Sequence, residues 1–355
     1  MKEKMIKERV SYIDVAKGLG ILLIVFGHSR ILSNGNSEIH RIVYSFHVPL
    51  FFFISGLFLN PNEIFWVFFI KKTDSLLKPY LVVLLALSIP LLVKGFSASK
   101  YIFGVLYGNG TTIIWPHLWF LPHLWILLIF SYIFVKITNF DCLHWGFRAS
   151  LLLLLLVVGF NISRMYFSVS GQSESTIFDD FGKSLAFSGL PFSFDLAFIT
   201  SFYFLLAYSL RSKVLISKYS NIYFLLSLFV FVFCHLFFDF SIDLNLRVYD
   251  NIFISTFQAL SGIHIILSVS QLLSRSILPC RIFSYIGSGS LFILIFHSYL
   301  QNKVFSVINS LNINFFLIDD VIPFFVCSTV PLLMWEVAKR NNYLAIFCLP
   351  LNRRV

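Results

Sequence analysis

The chain has 355 residues, 58% of them hydrophobic, 18% aromatic and 12% charged, with a formal net charge of +10. An average soluble domain carries about 25% charged residues, so 27 Lys and Arg with 17 Asp and Glu cannot give a water-compatible skin to a chain with 44 Phe. Disorder, collagen-like repeats and disulfide-rich scaffolds are excluded as well, which leaves a multi-spanning membrane protein. Apolar runs long enough for a helix of roughly 20 residues fall near 12–33, 42–60, 79–95, 115–135, 149–167, 194–210, 220–238, 251–273, 283–303 and 321–338. They lack the period-two alternation of an outer-membrane barrel. The expected fold is therefore all-α: a polytopic membrane helical bundle of about ten transmembrane helices, forming one domain over residues 1–355.

Charge placement orients this bundle. With ten crossings, 18 of the 27 Lys and Arg fall on the side holding both chain ends, eight on the other, and Lys17 lies within the first run. By the positive-inside rule both termini are expected in the cytoplasm. The same bias accounts for the basic net charge, and no nucleic-acid partner is expected. Asp14 and Lys17 make a signal peptide an unsuitable reading of the first run. The longest expected outer loop, about 168–193, is rich in Ser and Gly. The five cysteines (Cys142, Cys234, Cys280, Cys327 and Cys348) contain no CxxC pair and read as free, mostly buried thiols.

The first run, YIDVAKGLGILLIVFGHS, holds the densest chemistry. Charges inside a membrane segment mark function by default. Asp14 and Lys17 stand three apart and can pair. Lys17 and His28 stand eleven apart, which is three helical turns plus about 20°, or about 16 Å along one face. A polar stripe is therefore expected along one side of the helix. In the second run His47 lies six residues beyond Arg41, at a depth comparable with His28, and Ser55–Gly56 suits close helix packing. His297 comes about 14 residues into the ninth run, again at that depth. Three histidines at one level admit a metal site in principle, but no acidic ligand shares the level, and no metal is expected. The fourth run opens PHLWFLPHLW, where His117, Trp119, His123 and Trp125 read either as an interfacial aromatic belt or as a stacking platform for a sugar.

Taken in order, Asp14, Lys17, Gly18 and His28, then SFHVPLFFFISG around His47, LLKPY at 76–80, HLWFLP at 117–122 and IGSGSLFILIFH at 286–297 resemble the acyltransferase-3 family of integral-membrane acyltransferases. The likeness is to its fucose 4-O-acetylase-like and polysaccharide O-acetyltransferase branch, and it spans nearly the whole chain. Lys17 stands where that family more often has Arg, keeping the charge but losing the bidentate fork. The resemblance implies a multi-pass enzyme of the bacterial cytoplasmic (inner) membrane. It would move an acetyl group from acetyl-CoA, used as donor rather than as a bound cofactor, to a hydroxyl of a glycan or lipid-linked sugar. On that reading His28, Lys17, Asp14 and His47 carry catalysis. Arg41, Trp119, His117, His297 and Ser55 meet the acceptor, and Lys71, Lys72 and Lys78 meet the CoA phosphates, although ordinary loop charge also explains those lysines. A glycan transporter or flippase, and an O-antigen-type polymerase, share the apolar helices. The transporter needs no buried cation–histidine stripe, and the polymerase needs a larger outer loop.

Overall fold

The computed structural model describes residues 11–29, 38–170, 189–310 and 316–351. Most of the expected loop 168–193, the terminal basic residues Lys2, Lys4, Lys7, Arg9, Arg353 and Arg354, and Arg30 lie outside the described residues. What is described is overwhelmingly helical. The only strands among the described residues are two of two residues each, β1 (Ile242–Asp243) and β2 (Val248–Tyr249). Among the described residues, seven helical stretches are long and apolar enough to cross a bilayer: Phe65–Val93, Pro116–Ile137, Trp145–Tyr166, Pro191–Ile216, Ile252–Leu273, Ser290–Ser310 and Val321–Arg340. The chain is thus an all-α, multi-pass membrane protein. These seven coincide with seven of the ten expected runs, and the other three are also helical but shorter.

The chain forms two compact units. The first draws its described residues from 1–58, 206–243 and 249–335. Its central element is α1 (Ser11–Gly27), followed by the short α2 (Glu38–Tyr44) and α3 (His47–Gly56). The expected single helix over 42–60 is broken at Ser45–Phe46. Pro49 has no N–H to return to the Ser45 carbonyl, and the Ser45 hydroxyl and His47 imidazole take the carbonyls of Ile42 and Val43 instead.

The second unit supplies α4 (Phe65–Lys72), which runs through a π-helical turn at Thr73–Leu77 into α5 (Lys78–Val93). After it come α6 (Ala98–Tyr107), α7 (Phe120–Ile137, entered by a 3-10 turn at Pro116–Trp119) and α8 (Trp145–Ser170). The helix α9 (Ala197–Ile216) begins in the second unit and ends in the first. The first unit continues with α10 (Asn221–Phe237), α11 (Ile252–Leu273), α12 (Ile277–Ser288) and α13 (Ser290–Ser310). The helix α14 (Phe316–Arg340) leads to α15 (Asn342–Cys348), whose residues belong to the second unit. The run expected at 283–303 is divided at Gly289, within Gly-Ser-Gly-Ser at 287–290.

Around α1 the close approaches are made by glycines. A Cβ on Gly18 would lie 2.2 Å from the Phe283 carbonyl oxygen, and one on Gly287 would lie 2.0 Å from the Asp14 carbonyl oxygen. The backbones of α1 and α12 therefore touch directly, as small residues permit in membrane bundles. On another side of α1, Gly20 meets Leu50 and Phe51 of α3, and Gly27 meets Val43 and Tyr44 of α2.

Candidate active site

The two glycine contacts fix where the polar stripe of α1 points. With Gly20 and Gly27 turned to α2 and α3, Lys17 and His28 follow about 60–80° around the helix and Gly18 about 160°. Lys17, His28 and Asp14 therefore lie on the arc between two packed neighbours. Asp14 is 7% exposed, and its Oδ1 stands 3.7 Å from Lys17 Nζ. The Lys17 ammonium also lies 5.5 Å from the centre of the Phe58 ring, a cation–π contact just past the end of α3. Between Lys17 and His28 the stripe is filled by buried Ile21 and Ile24. The charged end and the imidazole end are two polar places on one face, separated by apolar side chains.

The imidazole end is built from three elements. His28 extends α1, its N–H donating to the Ile24 carbonyl at 3.2 Å, and its ring centre lies 5.2 Å from that of His297 on α13. Tyr44 on α2 joins His28 to His47, with ring centres at 6.2 Å and 4.6 Å respectively, and His40 stacks on the other side of Tyr44 at 3.8 Å. His47 and His297 are almost wholly buried, while His28 is half-buried. His47 Nδ1 is 2.9 Å from the Val43 carbonyl, and His297 Nδ1 is 2.9 Å from the carbonyls of Ile293 and Leu294. A carbonyl can only accept, so the neutral rings carry their proton on Nδ1 and present an Nε2 lone pair. His47 and His297 are thus oriented bases, and both are more deeply buried than His28.

Arg41 sits beside this cluster on α2, clamped by Glu38 at 2.5 Å and by Asp239. Ser55 is half-buried in the last turn of α3, and its carbonyl accepts the Phe58 N–H at 3.3 Å. Glu38 is signalled by its i,i+3 spacing from Arg41, whereas Asp239, 198 residues away, is not.

In the second unit the remaining expected residues have defined surroundings. Lys71 is ion-paired with Glu63, and Lys72 lies 5.5 Å from the Phe68 ring. Lys78 Nζ donates to Asp74 at 2.6 Å and to the Leu349 carbonyl at 2.7 Å, and Asp74 accepts the Leu351 N–H at 2.7 Å. Lys78 thus helps hold α15 against α5. Trp119 is 5% exposed and tilted on His123 at 5.3 Å, and His117 stacks on Trp115 at 5.9 Å.

His123 leads to a buried polar group in this unit that spacing did not single out. Its Nε2 is 3.1 Å from Thr200 Oγ1. Nearby, Arg247 and Asp195 form a two-pronged pair at 3.0 and 3.2 Å, both side chains fully buried. Arg247 also donates to Ser193 Oγ and the Asn245 carbonyl, while Asp195 accepts the Leu190 N–H. The guanidinium fits only because residue 189 is glycine: a Cβ there would lie 2.0 Å from Arg247 Nη2, and φ is +106°. The sequence signal for this pair was a carboxylate inside an apolar run, since intramembrane charges need a partner.

Long apolar helices with paired charges and imidazoles buried among them define a multi-pass membrane protein rather than a soluble one. Residues 10–337 match the acyltransferase-3 family model, described as an acyltransferase domain, and the chain belongs to that family. No curated protein and no solved structure matches the chain. The activity class follows from the family: membrane acyl transfer.

Proposed function

We propose that this enzyme is an O-acetyltransferase of the bacterial cytoplasmic membrane, moving the acetyl group of acetyl-CoA to a sugar hydroxyl of a cell-surface glycan. The observation that carries the reading is the half-buried His28 ring set 5.2 Å from His297, on the same helix face as the Asp14–Lys17 pair. A sugar hydroxyl is a poor nucleophile and needs a base, and an imidazole with an ordinary pKa of about 6.5 suits proton transfer near neutral pH.

In this scheme His28 takes the hydroxyl proton as the oxygen attacks the thioester carbonyl. The tetrahedral oxyanion then collapses, the carbon–sulfur bond breaks, and the protonated imidazole returns its proton to the departing CoA thiolate. Products are the sugar acetyl ester and CoA, with no net proton change. Lys17, steadied by Asp14, orients the donor and offers positive charge to it. His47 supports the same base set. Arg41, His297 and Ser55 are the proposed acceptor contacts in the same unit as His28.

The test is His28→Ala in cells whose membrane level of the protein is matched to wild type. Mass spectrometry of the envelope glycan should lose the increment of an acetyl group less one hydrogen. An unchanged O-acetyl content would refute the base assignment. Everted vesicles given labelled acetyl-CoA separate the alternatives, because a transporter or polymerase would leave the glycan unlabelled.

A further inference from the structure

One layer beyond the imidazole cluster, two buried polar side chains have no hydrogen-bond partner among the described residues where one is needed. Gln258 on α11 is 0% exposed, and both its amide oxygen and its amide nitrogen are unbonded. His235 on α10 is 8% exposed; its Nδ1 is 2.8 Å from the Phe231 carbonyl, and its Nε2 is unbonded. Buried polar atoms in native proteins are bonded in the great majority of cases, so three orphans in two side chains call for an occupant.

The packing places these side chains at one level. The Phe46 ring lies against Gly262 of α11, where a Cβ would be 2.5 Å from its Cγ, and 5.7 Å from the Phe231 ring of α10. Gly262 and Phe231 therefore share the level of Phe46, the residue next to His47. Helices α10 and α11 are antiparallel neighbours joined through 238–251. Gln258 precedes Gly262 by four residues and His235 follows Phe231 by four. Each is thus one turn, about 5–6 Å, from the Phe46 layer toward the same connection. Ser255, Gln258, Ala259 and Gly262 share one buried face of α11, in the helical i, i+3, i+4, i+7 pattern.

The chemistry of the pair selects the occupant. His235 donates through Nδ1 to its own helix, so Nε2 accepts one O–H. The Gln258 amide can donate to one oxygen and accept from another. Both side chains are neutral, which suits a polyhydroxyl compound rather than an anion. We infer that Gln258 and His235 form a subsite for the sugar acceptor, holding hydroxyls beside the one that is acylated. This rests on the acetyl-transfer reading above.

The experiment compares Gln258→Met and His235→Phe with wild type in everted vesicles from a strain lacking the native gene, so that the endogenous envelope glycan is the acceptor. Labelled acetyl-CoA is varied, and each variant's melting temperature is measured in detergent. An orphaned amide costs stability, so the apolar near-isostere Met should melt at or above wild type while glycan labelling falls at least about tenfold. The KM for acetyl-CoA should stay within about twofold. Undiminished labelling in both variants overturns the subsite. So does a fall in melting temperature of several degrees with labelling lost in proportion, since that marks an internal structural role. If wild type itself gives no labelled glycan, the acetyl-transfer reading falls and takes this assignment with it.

Discussion

Arg247 and Asp195 show what a buried charge demands. Both side chains are fully buried, and the pair is bonded further to Ser193, the Asn245 carbonyl and the Leu190 N–H. Removing one partner strands the other, at a cost of about 3–5 kcal/mol, whereas replacing both with apolar groups of similar volume is often close to neutral. Asp195→Leu and Arg247→Met are therefore each expected to lower the melting temperature more than the double variant does. A double variant that melts at the sum of the two losses would show that the pair is not energetically coupled. Charge counting treats Arg247 as an ordinary loop cation because its partner is 52 residues away. The Lys17–His28 stripe, by contrast, was readable because one helix carries both residues and the period alone sets their facing. The same local logic could not supply Gln258 or His235, whose meaning depends on what fails to touch them.

Helix α1 depends on its neighbours coming closer than side chains allow. Gly18 and Gly287 are each opposed by backbone oxygen of the facing helix, at 2.2 and 2.0 Å from a virtual Cβ. A backbone atom cannot swing aside, so the helices would have to part, and parting them would unseat Asp14 and Lys17 from their arc. Gly287→Ala is expected to cost at least about 1–3 kcal/mol by overpacking and to reduce acyl transfer with it. Gly146→Ala, where the nearest atom is 3.6 Å from the added carbon, should leave both unchanged. Size-exclusion profiles and melting curves in detergent check the pair, and equal behaviour of the two variants would refute the close crossing. Composition made the helices themselves legible. Their interruptions at Ser45–Phe46 and Gly289 were less so, because an apolar run looks the same whether continuous or bent. Pro49 and the glycine–serine alternation are the local causes, visible once the bends are known.

The topology of the molecule turns on whether the shorter apolar elements cross the bilayer alongside the seven long ones. Helix α10 is the sharpest case. Its 17 residues rise about 25 Å, short of the roughly 30 Å of hydrocarbon, a mismatch that local thinning accommodates at modest cost. Its side chains leave little alternative. Ile222, Leu225, Phe229 and Leu236 are 60–77% exposed, and Leu226, Leu228, Val232, Phe233 and Phe237 are exposed as well, so apolar surface covers the helix on most sides. In water such a surface would be costly, and in lipid it is matched. If α10, the α2–α3 segment and α1 all cross, the chain spans ten times and its two ends share a side. The excess of Lys and Arg in the expected connections puts that side in the cytoplasm. A fluorescent protein fused after Leu351 should then be fluorescent and alkaline phosphatase at the same point inactive. Phosphatase inserted after Phe238, between α10 and α11, should be active. Should α10 lie on the surface instead, every connection after it changes side: the fusion after Leu351 would be dark and the phosphatase there active.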